Sequence, residues 1–167
     1  MYNVGDKIVY PMHGAGIIEE ISEKEILGKK TAYYILRVPM GNITLMVPVA
    51  SADQIGVRYI VGSEVIDLLL IHIRNCEILM NDNWNKRYRE NMEIIKKGEL
   101  FDIAAIYKYL VLREREKGLS SGEKKMLMSA KQIIVSEMIL SKDTDRDTAE
   151  NMLLDEALYN TLSSEEF

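Results

Sequence analysis

The sequence is poor in the residues that do chemistry or staple small folds: it has one cysteine, one tryptophan, two histidines and three prolines in 167 residues. With Cys76 alone no intramolecular disulfide can form, so a disulfide-stapled secreted scaffold is excluded and a reducing cytoplasm is expected. The opening MYNVGDKIVYPMHG has no basic stretch leading into an apolar one, and the densest apolar run, Leu68 to Ile71, is too short for a bilayer. Neither export nor a membrane span is expected. His13 and His72 lack the spacing to Cys76 or to carboxylates that a zinc site needs, and read as a turn and a helix-surface residue. Gly14-Ala15-Gly16 runs into Ile17 and Ile18 rather than into a helix, so it reads as a turn and not as a phosphate loop. Asn81-Asp82-Asn83 lacks the glycine and the terminal glutamate of a calcium loop, and reads as capping. No metal, no cofactor and no enzymatic activity are expected.

What is present is an ordinary globular composition, 47% apolar and 28% charged, enough for one domain or two small ones. The ten methionines scatter over helical apolar faces and read as core filler. The net charge of −5 disguises a partition along the chain. Residues 1–58 are neutral, 59–83 sum to −3, 84–131 to +5 and 132–167 to −7. An evenly acidic chain would repel nucleic acid, whereas a basic block beside an acidic tail can present a local phosphate-facing patch. Solvated helix faces would give the same counts.

Periodicity divides the chain into two halves. Residues 1 to about 60 read as strands at Asp6–Tyr10, Ala15–Ile21, Thr31–Val38 and Ile43–Val49, punctuated by glycine and by all three prolines. Strands so short and closely spaced bury a common face only by curling into a small antiparallel barrel of the SH3 or Tudor kind. From Gly62 onward the spacing turns helical. Ser63 can cap a connecting helix to about Ile73, and residues 74–82 read as a connector. Asp82 or Asn83 can cap a helix carrying Trp84, Tyr88, Met92 and Ile95 and ending at Gly98. A third helix, from near Glu99 to Gly118, lines up Leu100, Ile103, Ala104, Tyr107, Leu110 and Val111. Ser120 and Glu123 form a capping box for a fourth, with Leu127, Ala130, Ile134 and Met138 on its apolar line. Thr144 can cap a fifth that carries Met152, Leu153 and Leu158. The fold class is α+β, with a barrel at 1–60 and an all-α domain at 61–167, of which 61–83 is connecting helix and linker.

The one constellation with functional content surrounds the single tryptophan. Trp84 stands in the first turn of its helix, followed by Lys86, Arg87 and Arg89, and Lys124-Lys125 open a later helix. Spacing leaves two readings: Trp84 closes the core with Tyr88 and Met92, or the two helix starts face phosphates with the indole between them.

Two motifs carry a resemblance. Val4-Gly5-Asp6-Lys7-Ile8-Val9-Tyr10-Pro11, His13-Gly14-Ala15-Gly16, Pro48 and Gly56-Val57-Arg58 resemble the RNA-polymerase-interacting domain of the CarD/CdnL family, a domain also found in transcription-repair coupling factor. Trp84-Asn85-Lys86-Arg87-Tyr88, Asn91 and Glu116 to Leu127, with Ala130-Lys131-Gln132-Ile133, resemble the family's helical domain. The likeness runs to about residue 140, and the second motif separates a free-standing CarD-like protein from a coupling-factor fragment. It implies a bacterial, nucleoid-associated transcription regulator without cofactor or catalysis. The Tudor-like domain would dock on the polymerase β subunit through Lys24, Ile26 and Met46, where Met46 replaces an arginine common in the family. The helical domain would touch promoter DNA at the upstream edge of the bubble with little sequence specificity: the residue matching Trp84 wedges into the minor groove, and Lys86, Arg87, Arg89 and Lys124 hold the backbone, with Lys125 joining Lys124 as a DNA-binding residue on the charge reading. The result would be a stabilised open complex. A protein-interaction adaptor with Trp84 in its core, and no DNA contact, is the alternative.

Overall fold

A computed structural model describes residues 1–78 and 80–165. The N-terminal half forms β1 (Lys7–Tyr10), β2 (Gly14–Ile26), β3 (Lys29–Val38), β4 (Ile43–Pro48), the short helix α1 (Ala52–Ile55) and β5 (Arg58–Tyr59). They build one antiparallel sheet in the order β4-β3-β2-β1-β5, wrapped around Ile8, Ile18, Tyr34, Leu36, Val47, Ala52 and Val57. The α+β expectation holds. β2 runs on to Ile26, past the expected end at Ile21, because Glu19, Glu20, Glu23 and Glu25 put charge on both faces of a projecting hairpin and hide its alternation. A register shift between Ile18 and Glu20 bends β2. One half of it lies on the helices and the other reaches into solvent.

The helices are α2 (Ser63–Asn75), α3 (Trp84–Lys97), α4 (Leu100–Glu116), α5 (Ser121–Lys142) and α6 (Arg146–Glu165). α2, expected as a connector, puts Ile66, Leu69 and Ile73 in the helical core. Its C-terminal carbonyls at Ile73, Arg74 and Cys76 accept from the ammonium of buried Lys108, which supplies the cation and donors that a helix end lacks. α5 is central, flanked by the sheet on one side and by α4 and α6 on the other. It is therefore buried on more faces than one apolar line would suggest, including Ser136 and Glu137.

Two caps differ from expectation and a third forms by half. Gly62 occupies the N-cap of α2, and the Ser63 hydroxyl instead accepts from Lys142. Asp145, not Thr144, caps α6 by accepting the Thr148 N–H at 2.7 Å. Ser120 caps α5 as expected, accepting from the Glu123 N–H, but the Glu123 carboxylate turns inward rather than back to the cap.

The two halves are bolted together. Gly14, Ala15 and Gly16 form no turn; they open β2 and are buried. The Ala15 N–H donates to Ser136 Oγ at 2.8 Å, and a Cβ on Gly14 would lie 2.7 Å from that oxygen. Glu137, wholly buried, accepts from both terminal nitrogens of Arg58 and from the Val61 N–H. Gln132 adds a bond to the His13 carbonyl, and Ser141 one to that of Val61.

Candidate nucleic-acid interface

The N-terminus of α3 is fixed by its preceding loop. Asn83 Oδ1 accepts the Lys86 N–H at 3.1 Å, and Asn81 Oδ1 accepts the Asn83 N–H at 2.9 Å, which is the capping role expected of this tripeptide. Trp84 follows and is 44% exposed. Its ring stacks on Tyr88 with centroids 5.4 Å apart and 20° between planes, and its indole N–H donates to Ser120 Oγ at 3.2 Å. Tyr88 and Met92 pack on the helical core; Trp84 rides above it. Gly122 completes the seat, since a Cβ there would approach Tyr88 to 3.2 Å and Trp84 to 3.7 Å. The Ser120 contact thus brings the N-terminus of α3 beside that of α5.

Lys86, Arg89, Lys124 and Lys125 are exposed around these two helix starts. Arg89 leans on its own helix, its Nε donating to the Asn85 carbonyl at 3.4 Å. Cations and exposed helix N-termini reinforce one another as an anion-attracting surface, and the Trp84 ring, stacked on Tyr88 by one face, is left half-exposed beside them.

Arg87 departs from expectation. It is 3% exposed, with Nε and Nη2 on the two Glu123 oxygens at 3.2 and 3.3 Å and Nη1 on the carbonyls of Asn81 and Asp82 at 3.1 and 3.4 Å. Its hydrogen bonds to the Glu123 carboxylate hold the guanidinium above the ordinary arginine pKa. Arg113 reaches Glu123 at 3.7 Å, and the Tyr109 ring lies 5.9 Å from the Arg87 cation. Arg87 has no surface to offer a phosphate. It ties the 81–82 loop, α4 and α5 beneath Trp84, so Glu123, Ser120 and Tyr88 join the site as its supports. The signal lay in the spacing: Arg87, Asn91 and Ile95 recur at i, i+4 and i+8 on the buried stripe of α3.

Lys24, Ile26 and Met46 lie on the sheet. Met46 pairs with Ile35, and Lys24 with Thr31, so the alternation of β3 puts Met46, Lys24 and Ile26 on one face. All three are exposed, Met46 at 41% and Ile26 at 51%. They are not one cluster. β4 stops pairing at Pro48 opposite Tyr33, and Lys24 and Ile26 stand beyond it on the projecting hairpin, about 13 and 20 Å along the strands from the Met46 row.

His13 is an exposed turn residue against Tyr10, and His72 is an exposed residue of α2 against Phe101. Among the described residues no three histidine, cysteine, aspartate or glutamate side chains converge on a metal position, and no helix is long and apolar enough to cross a membrane.

Comparison with known proteins matches both halves. Residues 2–61 match the family described as CarD-like/TRCF RID domain, and residues 68–154 match CarD, C-terminal domain. A protein of Bacillus subtilis (strain 168) named "Putative transcription factor YdeB" is 37% identical over 142 residues, covering 85% of this chain and 93% of that protein.

Proposed function

The chain belongs to the CarD family of transcription regulators, and from that premise we propose that it docks on the RNA polymerase β subunit through the outer face of its sheet and holds Trp84 against promoter DNA at the upstream edge of the melted bubble. The observation that carries this reading is the half-exposed Trp84 ring at the meeting of two helix N-termini, with Lys86, Arg89, Lys124 and Lys125 exposed around it. An adaptor without DNA contact would have its indole in the core.

The chemistry follows from placement. The four cations bind backbone phosphates, which sets position without reading bases. The indole, held flat by Tyr88 and hooked by Ser120, enters the minor groove at an unstacked step and opposes closure of the duplex. The chain carries a net charge of −5, so free DNA binds weakly. Docking of Lys24, Ile26 and Met46 on the polymerase raises the local concentration of DNA at Trp84 and converts that weak contact into occupancy. A factor of this kind activates where melting limits initiation and represses where promoter escape does.

The test is open-complex lifetime on a forked promoter with polymerase and the full chain. Trp84→Ala is expected to shorten it while leaving the helical signal of the free protein unchanged. An unshortened lifetime with a folded variant would refute the wedge.

A further inference from the structure

The β2–β3 hairpin ends in a turn whose sequence contradicts its geometry. Ile26 pairs with Lys29, so the turn consists of two residues, Leu27 and Gly28. Both have positive φ, 54° and 76°. Two-residue hairpins with this backbone take Asn-Gly or Asp-Gly, because a branched aliphatic side chain in the left-handed region is strained and gains no local hydrogen bond. Here the residue is leucine, and its side chain is fully exposed at the far end of the projection, where it packs on nothing in this chain. Strain and exposed apolar surface together stabilise nothing in the free protein.

The surroundings define what would cover it. Strand register puts Lys24, Ile26, Lys29 and Thr31 on the outer face beside the tip, and Glu23, Glu25 and Lys30 on the opposite one. Neither Lys24 nor Lys29 has an ion-pair partner among the described residues. The tip is thus an apolar knob, Leu27 with half-exposed Ile26, flanked on its outer side by two cations. Its complement is a protein surface with an apolar pocket rimmed by carboxylates. A nucleic acid would satisfy the lysines and leave the knob wet.

We propose that Leu27 is an anchor of the polymerase-docking surface, seated in an apolar pocket of the polymerase with Lys24 and Lys29 against acidic residues at its rim. The proposal rests on the docking reading above and adds to it a residue outside the set that the family resemblance marks. Knob and cations share their strand face with Met46, which lies about 20 Å along the strands from the Ile26–Lys29 pair, so one extended partner surface can reach both.

The distinguishing experiment uses the opposite signs that the turn imposes on stability and binding. Leu27→Asn relieves the strain, and in the full chain it is expected to raise Tm by about 2 °C while weakening binding to purified RNA polymerase by about tenfold or more. Leu27→Met keeps the apolar knob and is expected to retain most of the affinity. A Leu27→Asn variant that gains stability and binds polymerase as the parent does would overturn the anchor, and so would equal losses with asparagine and methionine. Light scattering with both variants tests the rival occupant: a parent dimer that Leu27→Asn dissociates, with polymerase affinity unmoved, assigns the knob to a second copy of the chain. If the parent chain does not bind polymerase at all, the docking reading itself falls, an outcome separate from insensitivity to position 27.

Discussion

Arg58 grips Glu137 through two parallel hydrogen bonds, 2.8 and 2.9 Å long, across the boundary between sheet and helices. The carboxylate is wholly buried and takes a third bond from the Val61 N–H at 2.8 Å. Glu137→Ala leaves that amide and a guanidinium without their acceptor. It is expected to cost about 3 kcal/mol, the lower end for a broken buried pair because Arg58 stays a third exposed. Urea unfolding measures it, and a loss below about 1 kcal/mol would show that water replaces the pair.

Gly14 makes a second contact across the same boundary under steric constraint. Its φ is 118°, and an added Cβ meets Ser136 Oγ at 2.7 Å. Gly14→Ala should therefore destabilise. Adding Ser136→Gly should recover the part due to the clash and leave the part due to backbone strain, so the double-mutant cycle returns a favourable coupling between the two sites. Strict additivity of the two losses would place the cost wholly in the backbone.

The cations divide into a surface set and a buried one. For binding to forked DNA, neutralising Lys86, Arg89, Lys124 or Lys125 should each reduce the slope of log K against log salt by about 0.9 on duplex, or about 0.7 on single strands. Arg87→Gln should instead lower Tm and leave the slope of the folded protein unchanged, since its guanidinium serves Glu123 and two carbonyls. A slope that falls with Arg87→Gln as much as with Lys86→Gln would return Arg87 to the phosphate-binding set.

Trp84→Ala removes a half-exposed ring and not a core filler. Its cost in stability should stay well below the about 3 to 5 kcal/mol of a core aromatic truncation. Chemical denaturation of the two proteins gives the number directly, and a core-sized loss would put the indole back among the packing residues.

Asp145 supplies a pH test. The Thr148 N–H that it accepts holds its carboxyl below the ordinary value of 3.8. A lowered folded-state pKa means that the cap stabilises the fold above about pH 4 and that the contribution disappears as pH falls through the lowered value. The Tm gap between the parent and Asp145→Ala should accordingly be full at neutral pH and close in acid. A gap independent of pH would mean that the cap works without its charge.

The strand and helix alternation was legible because breakers and 3.6-residue spacing are local signals. Ile43 to Pro48 and the stripe from Trp84 to Ile95 needed no tertiary information. What escaped depends on the other half of the molecule. α5 is buried where Ser136 and Glu137 meet β2 and Arg58, and no window of its own sequence marks those positions as internal. The exposed cations of the Trp84 site were readable from charge and position. Arg87 was readable only from its i, i+4 and i+8 spacing to Asn91 and Ile95, a weak signal because an arginine and an asparagine on a stripe look polar until Glu123 is known to lie beneath them. β5, two residues long, has no period to detect; it exists because β1 offers an edge. Leu27 was passed over because turn and strand signals mark where a hairpin bends, and they say nothing of an aliphatic residue forced into the bend.

The fixed join between sheet and helices turns the molecule into a gauge. Glu137, Ser136, Gln132 and Ser141 pin the sheet to α5 at four successive places, so the separation between the Met46 face and the Trp84 ring is a property of the protein and not of its load. If, as proposed, polymerase sits at one jaw and the duplex at the other, a misfit in length or angle falls on the nucleic acid. Bending a site of 20 to 30 base pairs through 40 to 90° costs about 1 to 6 kcal/mol by elastic arguments, and the cost depends on the steps being bent. A protein that reads no base edge would then still sort promoters, by how readily each yields to a fixed caliper.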